Sequence, residues 1–239
     1  MKKIVFSDFD GTLTYKESLS PIFFDILNLL DSKKIPLVIV TGRSLSWGHF
    51  LLTHFPYLQD VIVEGGGAIV SRRGKFITEE CLISESDVLK LSDFTKDFEV
   101  EFPNISLSVD SFGRKTDRAI ELHDLKDGIL FHHIEDFLKA HNINFSTSNV
   151  HLNFWCGEVS KYKAVSHFLN KHHAHENDCL FFGDSLNDQA MFKSFKNSVG
   201  VSNISTIIDR LEYKPTTILT GDENIGPFGV LNYLQKNLE

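Results

Sequence analysis

An apolar run near the amino terminus ends in two aspartates that are one residue apart and followed at once by glycine: residues 4–14 read IVFSDFDGTLT. In a β-strand, residues two apart project to the same side, so Asp8 and Asp10 share a face where the strand ends. Open α/β folds bind their ligands at such strand ends. Two carboxylates held there repel each other unless a cation or a shared proton intervenes, so the pair implies metal or acid–base chemistry.

Aspartate and glycine are also common turn residues, so an exposed turn is the alternative interpretation of this segment. The apolar strand before it and the complete string DFDGTLT favour a functional site. A functional site also requires partners from elsewhere in the chain.

The first third of the chain alternates between helical and strand patterns. Residues 20–30 have apolar side chains at helical spacing behind a Ser-Pro start. Residues 35–40 (IPLVIV) form a continuous apolar run, which is typical of a strand buried on both faces of a parallel sheet. A second helix is predicted from residue 44 and a third strand at 61–63. This order predicts an α/β fold with a doubly wound, Rossmann-like parallel-sheet core.

The pattern changes after residue 83. Two helices and two antiparallel hairpins are predicted in the order αββαββ, over residues 86–98, 105–110, 117–122, 128–141, 144–148 and 150–156. The first pattern resumes after Gly157, with a helix near 204–211 among its later elements. We therefore predict a discontinuous core, residues 1–83 and 157–239, with an α+β cap domain, residues 84–156, inserted into it.

Composition excludes several classes of protein. The formal net charge of −8, without any basic block, argues against nucleic-acid binding. No apolar stretch approaches the ~20 residues that a membrane helix needs, and the run after Lys2 and Lys3 is broken by Asp8, which argues against a signal peptide. The three cysteines are far apart, which favours a reducing compartment. A cytoplasmic protein without nucleic-acid or membrane partners is predicted, and no oligomeric state is predicted.

Polar clusters follow the predicted core strands at four places. They are Asp8 with Asp10, Thr41–Gly42–Arg43, Lys161, and residues 183–188 (GDSLND). Parallel strands point their carboxyl ends to one edge of a sheet, so these clusters should converge. So many carboxylates at one edge repel one another unless cations lie between them. Hard oxygen ligands with room for water suit Mg²⁺, and the sequence has no His/Cys set for zinc.

The four clusters resemble the motifs of the haloacid dehalogenase (HAD) superfamily of phosphohydrolases. In order they are DFDGTLT at 8–14, TGR at 41–43, a lysine opening a helix at position 161, and GDSLNDQAM at 183–191. The module inserted between the second and third motifs is similar to the cap of the Cof-type, sugar-phosphatase branch. The resemblance covers nearly the whole chain.

This resemblance implies catalytic roles for five residues. Asp8 is the nucleophile that forms an aspartyl-phosphate, and Asp10 is the general acid and base. Thr41 and the Gly42 amide hold the phosphoryl oxygens, and Lys161 bridges nucleophile and phosphate.

The resemblance also implies a Mg²⁺ site. The Asp8 carboxylate and the Asp10 backbone carbonyl bind the ion, and Asp184 completes its protein ligands. Asn187 and Asp188 support the ion through water or indirect contacts.

The chain departs from the family pattern at two places, and one further role is open. Tyr162 stands where the family usually has Gly, and Lys163 follows, so either lysine could fill the third motif; Lys161 fits the register better. Residues 64–68 read EGGGA where the branch often has Glu-Asn-Gly-Ala. Arg43 either contacts the phosphate or pairs with an acidic residue of the core.

Alternation along the four inserted strands separates an apolar face from a polar one. The polar face includes Glu121, Asn153 and Trp155, which are predicted to bind substrate. Two interpretations stay open. Such a face is ordinary for an antiparallel sheet in solvent, whereas in the resembling family it closes over the active site, where it would suit a polyhydroxylated substrate.

The predicted function is that of an enzyme, a Mg²⁺-dependent phosphomonoester hydrolase acting on a small phosphorylated metabolite such as a sugar or polyol phosphate. One alternative is a phosphosugar mutase of the same fold, but such relatives lack a TGR-like second motif. Another is a non-catalytic phosphometabolite-binding protein. That class is expected to lose Asp8, Asp10 or Lys161, and all three are present.

Overall fold

The computed structural model of the protein describes residues 4–16, 18–147 and 150–238. Its strands are β1 (Ile4–Ser7), β2 (Leu37–Val40), β3 (Asp60–Val63), β4 (Ala68–Arg73), β5 (Phe76–Cys81), β6 (Asp117–Glu121), β7 (Asn144–Thr147), β8 (His151–Trp155), β9 (Cys179–Gly183), β10 (Ser198–Gly200) and β11 (Thr217–Ile218). Its α-helices are α1 (Pro21–Ser32), α2 (Leu45–His54), α3 (Glu85–Glu101), α4 (Gly128–Ala140), α5 (Lys161–Lys171), α6 (Gln189–Ser194) and α7 (Pro227–Asn237).

Eight strands form one sheet in the order β11-β10-β9-β1-β2-β3-β4-β5. The six strands from β11 to β3 run parallel, and β4 and β5 add an antiparallel hairpin at the edge. Strand β1 lies where the strand order reverses, with Val5 opposite Leu37 of β2 and Leu180 of β9. Ligands bind at the carboxyl ends of strands beside such a reversal. The predicted fold class, a doubly wound α/β core with an inserted α+β module, is confirmed.

Helices cover both faces of this sheet because its central strands are apolar on both sides. Val5 and Ile39 belong to a buried cluster that includes residues of α1, α2 and α7. Their neighbours Phe6 and Val40 belong to a second cluster with residues of α5 and α6. Side chains alternate along a strand, so continuous apolar runs supply both layers.

The inserted segment forms a three-stranded antiparallel sheet in the order β6-β8-β7. Its apolar face, with Ile120, Leu152 and Phe154, packs in one buried cluster with α3 and α4. All three strands come from within residues 84–156, and all strands of the large sheet come from outside that range. That the two parts behave as separate domains stays a prediction.

The predicted strand over residues 105–110 is wrong, because residues 109–113 form a 3₁₀ turn. Ser108 N still donates to the Ala119 carbonyl of β6 at 2.8 Å. After that point the Ser111 hydroxyl takes both backbone groups of Ala119, each at 3.3 Å. The Ser111 side chain thus takes the place of the backbone hydrogen bonds that a fourth strand would make with β6. The order of elements in the cap is therefore αβαββ.

The predicted helix near residues 204–211 is also wrong. Two 3₁₀ turns occupy it, Ser202–Thr206 and Ile208–Arg210. Ile207 separates them, with φ −125° and ψ 1°. Of the predicted strand 144–148, Ser148 lies outside the described residues, as do Lys2 and Lys3. None of the helices in the described part of the chain is long and apolar enough to span a membrane.

Candidate active site

The backbone extends the parallel ladder one residue beyond β1 and β2. Asp8 N donates to the Phe182 carbonyl of β9, and Thr41 N donates to the Ile62 carbonyl of β3, both at 2.9 Å. These bonds hold Asp8 and Thr41 at the carboxyl edge of the sheet. Asp184 follows β9 directly at the same edge. The predicted motifs therefore converge because the central strands are parallel and adjacent.

Lys161 lies at the centre of the cluster and its side chain is buried. Its Nζ donates to Asp8 Oδ1 at 2.5 Å, to Asp188 Oδ1 at 2.7 Å and to Asn187 Oδ1 at 2.9 Å. Burial lowers the pKa of Lys161, but the charges of Asp188 and Asp8 outweigh this effect and hold its pKa above the ordinary value. Lys161 therefore supplies a fixed positive charge next to Asp8.

The start of α5 decides which lysine reaches the site. The Ser160 hydroxyl accepts from Lys163 N at 3.1 Å and caps the helix, which makes Lys161 its first residue. Lys163 lies at the surface and pairs with Glu158. The departure at Tyr162 leaves this geometry intact.

Three buried carboxylates, those of Asp8, Asp184 and Asp188, have oxygens within 4.8 Å of one another. Burial raises the pKa of Asp8 well above its ordinary value, and the charges of Asp188 and Asp184 add to the effect while Lys161 opposes it. Burial and the charge of Asp188 raise the pKa of Asp184 to about 7. Three carboxylates against one ammonium leave negative charge that a divalent cation would neutralise.

Asp188 is already occupied by its own loop. Its Oδ2 accepts from Asp184 N at 3.0 Å, from Ser185 N at 3.1 Å and from the Ser185 hydroxyl at 3.2 Å. Asn187 Oδ1 accepts from the Ser185 hydroxyl at 2.8 Å and from Lys161. Asp8 and Asp184 are thus the carboxylates best placed to bind a metal directly. Such hard oxygen donors fit Mg²⁺.

Asp184 is oriented by residues outside the fourth motif. Thr12 Oγ1 donates to its Oδ1 at 3.1 Å, and Asn203 Nδ2 donates to its Oδ2 at 2.7 Å. Gly11, with φ +83°, leaves room for this carboxylate, because a Cβ there would lie 2.3 Å from Asp184 Oδ2. Asn203 also bonds the Gly11 carbonyl and accepts from Gly226 N. Sequence reasoning missed Asn203, whose signal was its position just after β10 at the same sheet edge.

Arg43 pairs with Asp10 in the structure. Its Nε and Nη2 donate to the two Asp10 oxygens at 2.9 and 2.7 Å, and its guanidinium lies over the Trp47 ring, 4.8 Å from the centroid. Of the two roles left open for Arg43, pairing with an acidic residue is the one observed.

The peptide after Thr41 is held from the cap side. Arg114 Nη1 donates to the Gly42 carbonyl at 2.9 Å, and Thr41 Oγ1 accepts from Arg43 N at 3.1 Å. The Gly42 amide, predicted to bind phosphoryl oxygens, therefore lies in a loop fixed by both parts of the molecule.

Two cavities lie between core and cap, and Gly42 and Asn187 line both. The larger, of about 150 Å³, is lined by core and cap residues that include Glu64, Lys161, Asp117, Ser146, Asn153 and Trp155. The smaller joins Asp8, Asp10 and Arg43 to Val150 and His151 of the cap. The polar face of the cap sheet thus faces the candidate active site.

Glu121 lies apart from the lining of these two cavities. Its carboxylate accepts from the Ser108 hydroxyl at 2.5 Å and contacts His151 Nε2 at 3.1 Å. Burial lowers the pKa of His151, and Glu121 opposes this effect. The predicted contact of Glu121 with substrate gains no support from this position.

Arg114 and Asp117, both missed by sequence reasoning, connect the cap to the site. The buried Arg114 side chain bonds both Asp117 oxygens at 2.9 Å and also pairs with Asp110. Asn153 Nδ2 donates to Asp117 at 2.8 Å. The spacing Arg-x-x-Asp was the available signal, but the incorrect strand prediction placed Asp110 on a ladder.

Glu64 holds the same part of the cap from the core side. Its carboxylate accepts from Lys115 N, from Thr116 N at 2.6 Å, from the Thr116 hydroxyl at 2.5 Å and from Leu45 N. Its φ of +53° is uncommon for a residue with a side chain.

Comparison with known proteins agrees with this geometry. Residues 5–126 and 120–211 match the haloacid dehalogenase-like hydrolase family. The chain therefore belongs to the haloacid dehalogenase-like hydrolases. The family predicted from the sequence is therefore confirmed, and with it the prediction of a hydrolase. No match is found among curated protein sequences.

Solved structures with low sequence identity share the whole fold. A protein from Thermoplasma acidophilum is 15% identical with a TM-score of 0.76, covering 99% of this chain and 98% of its own. The sucrose-phosphatase from Synechocystis sp. PCC6803, solved with sucrose and phosphate, is 14% identical with a TM-score of 0.71 and the same coverage of 99% and 98%. A haloacid dehalogenase-like hydrolase from Bacteroides thetaiotaomicron is 17% identical, TM-score 0.71, covering 98% and 100%.

Proposed function

We propose that this chain is a Mg²⁺-dependent phosphomonoester hydrolase that works through an aspartyl-phosphate on Asp8, and that its substrate is a sugar or polyol phosphate. The observation that carries the proposal is the buried contact of 2.5 Å between Lys161 Nζ and Asp8 Oδ1, beside Asp184 at the edge of the sheet. A carboxylate nucleophile needs neighbouring positive charge to stay ionised and to receive a phosphoryl group.

Asp8, Asp184 and the Asp10 backbone carbonyl would hold the Mg²⁺ ion, which when bound neutralises charge on the phosphoryl oxygens. An Asp8 oxygen attacks phosphorus as the bond from phosphorus to the leaving alcohol breaks. Lys161 Nζ, the Thr41 hydroxyl and the Gly42 amide hold the phosphoryl oxygens in place.

Asp10 acts twice in the proposed reaction. It donates its proton to the leaving alkoxide, and it then removes a proton from the water that cleaves the phosphorus–Asp8 bond. In the structure Arg43 holds the Asp10 carboxylate through two hydrogen bonds. Delivery of the proton to the alcohol requires protonated Asp10 to turn from Arg43 toward the smaller cavity, which Asp10 lines.

The substrate class is supported by the cavity next to Lys161. Asn153 and Trp155 line it, and an amide with an aromatic ring suits the hydroxyls and the apolar ring face of a sugar. The sucrose-phosphatase of the same fold, solved with sucrose and phosphate, also supports a sugar.

Hydrolysis of p-nitrophenyl phosphate with Mg²⁺ tests the proposal. We expect phosphate release that Asp8→Asn abolishes, because the amide removes the nucleophile and a metal ligand together. Asp25→Asn on the exposed face of α1 is the matched control and should keep full activity. Activity that survives in Asp8→Asn would rule out the aspartyl-phosphate route.

The same assay separates the alternatives. With a sugar phosphate as substrate, a mutase would pass the phosphoryl group to another sugar hydroxyl and give an isomeric sugar phosphate instead of free phosphate. A non-catalytic binding protein would bind phosphate without any release from the ester.

A further inference from the structure

Two carboxylates line the larger cavity and give it negative charge. Glu64 and Asp117 both line it, and both are buried. Lys161 lines it as well, but its ammonium already contacts Asp8 and Asp188. In the smaller cavity Arg43 is paired with Asp10.

The carboxylates of Glu64 and Asp117 differ in whether they can accept a further hydrogen bond from a ligand. Both Glu64 oxygens receive cap donors, including three from Thr116 and Lys115 to Oε2. Asp117 receives donors from two side chains, Arg114 and Asn153. Since a carboxylate offers about four acceptor sites, Asp117 can also accept from a ligand hydroxyl.

The positive charge of Arg114 does not reverse this balance. Its guanidinium bonds Asp117 and Asp110 together, so the group of three carries a net negative charge, to which Glu64 adds. Burial lowers the pKa of His151 in the smaller cavity, so its ring is already mostly neutral at the ordinary pKa of a histidine. Among the described residues lining the two cavities, each cationic side chain therefore contacts a carboxylate.

The groups available to a ligand are suited to hydroxyls. Ser146 and Asn153 lie opposite each other on β7 and β8, and Trp155 lies two residues further along β8 on the same face. Because the Asn153 amide nitrogen donates to Asp117, its carbonyl oxygen can accept from a ligand. These groups bind an alcohol but do not compensate a second anion.

We propose that the larger cavity is a charge filter, an inference that rests on the proposed phosphatase function. The cavity accepts the hydroxylated, uncharged leaving group of a phosphomonoester and rejects leaving groups with a carboxylate or a second phosphate. Asp117 is the specificity-determining residue. A like charge placed beside a buried carboxylate is strongly unfavourable, whereas the phosphoryl group itself is held by Lys161 and the metal ligands.

Two pairs of substrates that differ by one functional group test the filter. Glycerol 3-phosphate and 3-phosphoglycerate differ by a hydroxymethyl group against a carboxylate, and sorbitol 6-phosphate and 6-phosphogluconate differ in the same way. Burial raises the pKa of Asp117 to about 7, so assays near pH ~8 keep it ionised. We expect kcat/KM to favour the alcohol of each pair by about tenfold or more.

Two variants test the residue assignment through the ratio of kcat/KM within each pair. Asp117→Asn should lower the preference for the alcohol. Ser146→Lys, at a partly exposed position whose substitution leaves the Arg114 group intact, should reverse it by adding a cation. A thermal melt of each variant checks that it is folded.

The failures are distinguishable. An enzyme that hydrolyses p-nitrophenyl phosphate but uses both members of each pair equally overturns the filter and leaves the proposed function standing. An unchanged ratio in folded Ser146→Lys also overturns it. Absence of phosphate release from every ester overturns the proposed function and the filter with it.

Discussion

Asn203 shows how a single side chain can organise a site that it does not line. Its amide nitrogen donates to Asp184 Oδ2 at 2.7 Å and to the Gly11 carbonyl at 3.1 Å, and its oxygen accepts from Gly226 N at 3.0 Å. It thereby links the loop of the first motif, the proposed metal ligand and the start of α7. Partners behind a metal ligand fix the ligand's orientation.

Asn203→Ala should weaken Mg²⁺ binding by roughly 10–100-fold, the usual effect of losing a residue behind a metal ligand. Isothermal titration of the metal-free protein with Mg²⁺ measures the dissociation constant without reference to activity. Asn237→Ala, an exposed asparagine in the last turn of α7, is the matched control. Equal dissociation constants for Asn203→Ala and the unchanged protein would contradict this role.

For single residues, the sequence predicted the place of a side chain in the fold better than it predicted which other side chain it contacts. Asp8, Thr41, Lys161 and Asp184 each follow a strand or open a helix, so their convergence depends on topology alone. The pairing of Arg43 with Asp10 depends on distances that no local pattern contains.

Two arginine pairs show how burial changes the weight of an ionic contact. The Arg114 side chain is fully buried and bridges Asp110 and Asp117. Arg73, on β4, pairs with Asp60 at 2.9 Å while its own side chain is 46% exposed. Removal of Arg114 leaves two carboxylates without their buried cation. Water already screens the charge of Arg73, and Asp60 keeps the Ser71 hydroxyl as a donor when Arg73 is removed.

Arg114→Ala should lower the free energy of unfolding by about 3–5 kcal/mol, and Arg73→Ala, the control, by less than about 1 kcal/mol. Urea-induced unfolding followed by circular dichroism measures both. Similar losses for the two variants would show that the buried cluster does not stabilise the cap.

Apolar patterns predicted helices and strands correctly where backbone groups alone make the hydrogen bonds of the element. The pattern failed where side chains compete with the backbone. Ser111 occupies both backbone groups of Ala119, which removes the predicted strand at 105–110. Over residues 204–211, where a helix was predicted, the backbone instead forms parts of two short 3₁₀ turns.

The molecule as a whole places a titratable carboxyl at the boundary of core and cap. Burial raises the pKa of Asp117 to about 7, with Arg114 opposing and Glu64 adding to the rise. The folded state therefore binds this proton more tightly than the unfolded chain. The resulting stability is present at low pH and is lost as the pH rises through about 7.

Comparison with Asp117→Asn isolates this effect. The difference in unfolding free energy, unchanged protein minus variant, should fall by roughly 1–3 kcal/mol between about pH 5 and pH 8. Urea unfolding of both proteins at the two pH values measures the difference. A difference that does not depend on pH would show that Asp117 is not the group that binds this proton in the folded protein.

The order of helices and strands along the chain was the most predictable property of the whole molecule. The pattern of apolar residues changes after residue 83, where an antiparallel segment interrupts the parallel core. The contacts that hold the two parts together were not predictable. They include the bonds from the Lys115 and Thr116 amides, 51 and 52 residues away, to the Glu64 carboxylate, and the bond from Arg114 to Gly42.

The bond from Arg114 to the Gly42 carbonyl has a consequence for turnover. The Gly42 peptide faces two ways: its carbonyl is bonded by the cap, and its amide, as proposed, grips the phosphoryl group. We expect that lifting of the cap would remove the donor of this carbonyl and free the peptide plane to rotate. An open cap would then weaken retention of the phosphate, so departure of the alcohol and loosening of the phosphate would belong to one movement.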